Sequence, residues 1–164
     1  GTCLPRSKPV SRAWAGQDRW TILHAGSADP QGFIAAWRAW QQDARRPRML
    51  HVVAVGSAES ARTPSDLPEP LARQWQGLLP GFHRMAFEGG HVLLTVCIGD
   101  VQELMRQQVL QADEVTLHAG APLRSLARCL HRGTRLAIPR PGHVLPHDLR
   151  QQGFVPDADD ERAW

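Results

Sequence analysis

No stretch of this 164-residue chain holds the roughly 18 to 20 consecutive apolar residues that a helix needs to cross a bilayer. The N-terminus also lacks an apolar segment behind its basic residues, so neither anchoring nor secretion is signalled and a cytoplasmic setting is expected. Cysteine is scarce. Cys3, Cys97 and Cys129 are an odd number at wide spacing, two of them inside apolar runs, which suits reduced, buried thiols better than a disulfide framework or a zinc site. Internal repeats and low-complexity tracts are missing. No aromatic residues alternate with the arginines, so a stacking platform for single-stranded nucleic acid is not indicated. The length is enough for one compact domain and too short for two ordinary ones. Residues 1–164 are read as a single domain, with 1–19 an extension, 20–155 the core and 156–164 a tail.

What is present begins with basic charge. A net charge of +3 permits an anionic partner without requiring one. Arg45, Arg46 and Arg48 surround Pro47 in a turn, while Arg124, Arg128 and Arg132 recur at intervals of four through a predicted helix and would share one face. Both groups are candidate nucleic-acid contacts through phosphates, the alternative being an ordinary solvated surface.

Short apolar runs alternate with helical patterns along the chain, which predicts an α/β fold with a doubly wound, mostly parallel sheet and helices on both faces. The runs are 21–24, 50–55, 92–98, 114–117 and 135–138. Residues 32–42 carry Phe33, Ala36, Trp37 and Trp40 along one helical stripe, so the tryptophans are expected in the core. Residues 57–70 read as a loop, and 71–79 as a helix ended by Pro80 and Gly81. A hairpin is predicted around Glu88-Gly89-Gly90. Further helices are predicted over 101–109, 123–130 and 148–152, the last closed by Gly153. His143 and His147 lie four apart in a Pro-rich segment with no third ligand at motif spacing, so no metal site is predicted.

In such a sheet, ligands bind beyond the carboxyl ends of the strands. The first of these ends is the stretch ILHAGSADPQGF, residues 22–33, which has the strand, small-residue turn and helix layout of a nucleotide-binding loop. The turn holds a single glycine, Gly26. The glycines and the acidic residue that normally mark a nucleotide site are both weakly represented here.

The segments WAGQDRWTILHAGSADPQGFIAAWRAWQQDARRPRMLHVVAV, LLPGFHRMAFEGGHVLLTVCIGD and LHAGAPLRSLARCLHRGTRLAI together resemble the tRNA 5-methylaminomethyl-2-thiouridine methyltransferase family. That family includes the methylating half of the bifunctional enzyme that finishes a wobble-uridine modification. The similarity runs from about Trp14 to Phe154, anchored by Trp37, Trp40 and the block from Leu78 to Val101. It implies a Rossmann-like fold similar to class I methyltransferases, S-adenosylmethionine as cofactor and tRNA as partner.

The departures from the family pattern fall on the chemistry. Where the family opens its cofactor loop with a glutamate and alternating glycines, this chain has His24, Gly26, Ala28 and Pro30. Pro30 removes an amide donor, and Ala28 adds a side chain where backbone should approach the ligand. The ribose glutamate is replaced by Gly56, with Glu59 three residues further on. The catalytic aspartate of an Asp-Gly-Phe-Ala-Pro motif is replaced by His118, and a length of active-site wall after Pro122 is missing. Asp100 alone matches an acidic family residue, one that would face the adenine; the alternative is a helix cap for 101–109.

The vestigial cofactor positions are therefore His24, Gly26, Gly56 and Asp100, and the candidate catalytic residue is His118. Methyl transfer to an amine needs a carboxylate to orient it and take its proton, and an imidazole at 118 offers a base without the stabilising negative charge. The leading expectation is a catalytically silent domain that serves as a binding scaffold for tRNA or a protein partner. The alternative is an active tRNA methyltransferase with an altered site. His24 and His118 should emerge side by side, forming a pocket that accepts an anion at mildly acidic pH or simply two drifted histidines.

Overall fold

A computed structural model describes residues 13–75, 78–119, 121–138, 146–156 and 164. Cys3 and His143 lie outside the described residues. One six-stranded sheet organises the chain, built from β1 (Arg19–Ala25), β2 (Met49–Gly56), β3 (Gly81–Phe87), β4 (Val92–Ile98), β5 (Ala112–Leu117) and β6 (Leu130–Ala137). The strand order is β3-β4-β2-β1-β5-β6, parallel throughout except for the antiparallel β3-β4 hairpin at one edge. Each predicted apolar run forms a strand, and the predicted hairpin turns through Glu88–Gly90. Residues 52–56 of β2 are buried without interruption, as expected for a strand flanked by parallel neighbours and covered on both faces.

Helices pack against both faces. α1 (Gln31–Gln42) covers one face with Phe33, Ile34, Ala36, Trp37 and Trp40, and its aromatic stripe packs on Phe87 of the hairpin. α2 (Glu69–Gln74) adds Leu71 to the same side. On the opposite face α3 (Val101–Gln107), α4 (Leu123–Leu126) and α5 (Pro146–Gln151) bury Leu104, Met105, Leu126 and Leu149 against β1, β2, β5 and β6. Cys97 and Cys129 are free, buried thiols in this second layer, and burial pushes both up from the ordinary thiol value. Trp14, from the segment before β1, is fully buried in the first layer and donates its indole N–H to Asp43. Trp164 exchanges two backbone hydrogen bonds with Leu136 and so pairs with β6.

Three helices are shorter than the sequence predicts. α2 starts at Glu69 and ends at Gln74, and α3 ends at Gln107. The third case has functional weight. The predicted helix over 123–130 is α4 followed by a single 3-10 turn, Ala127–Cys129, after which Leu130 already begins β6. Apolar residues at 123, 126 and 130 fit a helical period, but Leu130 is taken by the sheet. His147 stands on α5 with its ring against Gln151, not on a loop. Among the described residues no helix is long and apolar enough to cross a membrane.

Candidate functional site

The carboxyl ends of β1, β2, β4 and β5 bring the vestigial positions to one edge of the sheet. β1 and β5 are neighbours, with His24 beside Thr116, and the His118 amide donates to Ala25 O at 2.8 Å, extending the pairing past the end of β5. The two imidazoles consequently meet, His118 Nε2 lying 3.5 Å from His24 Nδ1 with ring centroids 5.7 Å apart. This is the juxtaposition expected from the strand order. A cleft of about 570 Å³ opens beside the pair, between the end of β1, the first turn of α1 and the end of β5, and Gln31, Thr116 and His118 reach its wall.

The His24 ring is wedged beneath α1. A Cβ built on Gly32 would stand 2.5 Å from its Cε1, so only glycine at this point in the first helical turn leaves the ring its place. Nε2 of His24 is enclosed without a hydrogen-bond partner. Burial, and secondarily the neighbouring His118, lower its pKa from 6.5 to about 4. His24 is therefore neutral at mildly acidic pH and contributes no attraction for an anion there.

The loop after β1 turns two of its amides, those of Gly26 and Ala28, toward β2 and Ser60, and bonds two more to its own side chains. Gly26, at φ +102, donates to Val55 O at 2.8 Å. The Ala28 amide donates to Ser60 Oγ at 2.9 Å, Asp29 N to Ser27 Oγ, and Gln31 N to Asp29 Oδ1, while Pro30 has no N–H to offer. Ser60 is itself fixed by donating to Ser57 O at 2.7 Å. The result is a loop seated on the end of β2. A Cβ built on Gly56 would stand 2.3 Å from Ala28 N and 2.4 Å from Ser60 Oγ, and Ala28 is wholly buried. No side chain fits at position 56 while the loop keeps this seat, so the end of β2 presents backbone there.

Asp100 is likewise occupied locally. Its Oδ1 accepts the Glu103 amide at 3.0 Å, capping α3. Glu59 stands on the exposed turn after β2. The residues present therefore do not fit S-adenosylmethionine: the Gly26 and Ala28 amides are engaged within the chain, position 56 is closed to a side chain, and the carboxylate that lines the cleft with His118, Asp29, is tied to the Gln31 amide. Among the described residues no three metal-ligating side chains come together. Ser60 and Gly32, which shape this edge, were not singled out in the sequence. A glycine in the first turn of an otherwise good helix is the one signal that pointed to Gly32.

The arginine groups part company. Arg45, Arg46 and Arg48 share one turn at the amino end of β2, beside a second cleft of about 560 Å³ at the opposite end of the sheet from the histidines. Arg124 is on α4, Arg128 in the 3-10 turn and Arg132 in β6, so the single helical face predicted for them does not form. Arg128 donates to Arg106 O, and the three side chains are exposed.

No family profile matches the chain. Individual relatives do. The tRNA 5-methylaminomethyl-2-thiouridine biosynthesis bifunctional protein MnmC of Polaromonas naphthalenivorans is 41% identical over 89% of this chain and 26% of its own length. Its counterpart from Paracidovorax citrulli is 42% identical over 87% of this chain and 26% of its own length. The chain thus spans about a quarter of the curated relatives it matches. The crystal structure of MnmC2 from Aquifex aeolicus superimposes on 89% of this chain and 50% of that one, with a TM-score of 0.60 at 16% identity, a likeness of fold. Sequence and fold agree in relating this chain to one part of the tRNA 5-methylaminomethyl-2-thiouridine biosynthesis bifunctional proteins, and its mostly parallel α/β sheet shares the fold of MnmC2.

Proposed function

We propose that this chain is a methyltransferase-derived domain that has lost S-adenosylmethionine binding and catalysis, and that it works as a binding scaffold with tRNA as its partner, in the cytoplasm. One arrangement carries the reading. The backbone at Ser27 and Ala28 sits where the cofactor's ribose would be read, locked there by Ser60 and made possible by Gly56. Opening the loop would break the hydrogen bond of the buried Ala28 amide to Ser60, and neither His24 nor His118 supplies the fixed negative charge that methyl transfer to an amine uses. The tRNA partner is inferred from relatives named for tRNA modification.

The test is transfer of a labelled methyl group from S-adenosylmethionine to bulk tRNA by the purified chain. Label at background is expected. Label that accumulates with enzyme concentration, and disappears in His118→Ala, would replace this reading with that of an active methyltransferase.

A further inference from the structure

We infer that the amino edge of the sheet carries an RNA-phosphate contact built on Arg45, Arg46 and Arg48, at the opposite end of the molecule from the histidine cleft. The inference rests on the tRNA-partner reading and places the contact where no methyl-transfer site existed.

The turn bearing these arginines is rigid, pinned from several directions. Trp40 Nε1 donates to Pro47 O at 2.8 Å, Asp43 accepts both Trp14 Nε1 and the Arg45 amide, and His91 Nδ1 contacts Arg48 O at 3.0 Å. Met49 N donates to Asp18 O at the start of β2, and Leu50 N to His91 O. A surface arginine run that serves only solubility needs no such frame. Held this way, the backbone of the turn loses less conformational freedom on meeting a ligand.

The charge of the turn has acids near it, Asp43 beside Arg45, Glu88 toward Arg46 and Asp18 beside Arg48, but no close ion pair among the described residues neutralises it. Among the described residues neither Arg45 nor Arg46 makes a salt bridge, and Arg48 has only Asp18 at 3.8 Å, both side chains being more than 60% exposed. Arg46 lies over the Trp40 ring, 4.2 Å from its centroid, and donates to Gln41 O, so its plane is fixed while its remaining N–H groups are open to an acceptor. Besides Asp18, the nearby acids are Asp43, whose two oxygens accept from Trp14 and the Arg45 amide and whose carboxyl is held below the usual range, and Glu88, whose Oε1 accepts from Trp37 and Gln41. The adjoining cleft of about 560 Å³, lined by Arg46 and Arg48 together with Gln17, Asp18, Trp40 and His91, gives a backbone phosphate a place to seat on its arginine side. The other arginines lack this concentration, being divided between α4, a 3-10 turn and β6.

Binding of fluorescent tRNA to the full chain, followed by anisotropy across a salt series, tests the inference. Arg45→Ala/Arg48→Ala leaves the Arg46–Trp40 packing in place and should bind at least about tenfold more weakly, with a salt slope lower by roughly 0.7 to 0.9 for each phosphate that is no longer neutralised. Arg45→Lys/Arg48→Lys should keep most of the slope, and Arg124→Ala/Arg128→Ala should match the parent. Thermal melts of each variant establish that it is folded. Equal binding by the parent and a folded Arg45→Ala/Arg48→Ala variant would overturn the amino-edge site while leaving tRNA as partner. No binding by the parent at low salt would overturn the partner reading itself. Displacement of tRNA by equimolar inorganic phosphate would show a small-anion site and overturn an RNA contact.

Discussion

Ala28 N and the α-carbon of Gly56 are packed so closely that a methyl group cannot be interposed: a Cβ on residue 56 would lie 2.3 Å from the nitrogen. Ala28 N and the Ser27 carbonyl carbon are backbone, so turning the Ser60 side chain away would not relieve the clash. Gly56→Ala is expected to destabilise the fold by about 1–3 kcal/mol, the usual range for overpacking. Urea denaturation of the two proteins checks it, and an unchanged midpoint would mean that the loop yields freely.

Ser60 is the latch of the same loop. Removing its hydroxyl leaves the buried Ala28 amide without an acceptor, at a cost of about 1–3 kcal/mol. Ser60→Ala should therefore speed hydrogen exchange at Ala28 selectively, with little change in the strands. Unaltered protection at that amide would show that Ser60 does not hold the loop.

His24 makes stability depend on acid. Its folded pKa of about 4 lies below the ordinary 6.5, so the unfolded chain takes up a proton first as pH falls. The contribution is complete above 6.5 and declines between 6.5 and 4, by roughly 3 kcal/mol over the window. His24→Gln should flatten this part of the stability profile. An NMR titration placing the His24 midpoint near 6.5 would contradict the burial argument.

His131 acts in the opposite direction. Its Nδ1 contacts Arg132 O, and its Nε2 lies 2.8 Å from Asp113 Oδ1, whose other oxygen accepts the Thr21 amide, tying β6 to β5 and β1. The backbone contact and then the aspartate raise its pKa. Stability from this clasp is fully present below the unfolded histidine value and is lost as pH rises through the folded one. Asp113→Asn should bring the His131 midpoint down in an NMR titration and remove that slope. A midpoint that does not move would assign the shift to Arg132 O alone.

Much of the fold was legible because parallel strands buried on both faces leave continuous apolar runs, as 50–55 and 92–98 do. The pairing of His24 with His118 followed from the strand order that the family resemblance implies, which places β1 beside β5. The closure of the cofactor loop did not. It depends on Ser60, 32 positions from Ala28 in a Ser-rich stretch that offers no periodicity to read. The shared face of Arg124, Arg128 and Arg132 failed for a related reason: three apolar residues suit a helix and a strand entrance equally, and long-range pairing of Leu130 with Ala112 decided between them.

Calorimetric titration of the full chain with S-adenosylmethionine decides whether the loop over 22–33 still holds a cofactor. With the loop amides engaged and position 56 closed, no saturable heat is expected up to millimolar cofactor. Saturable micromolar binding, weakened in His24→Ala or His118→Ala, would contradict the closure of this site.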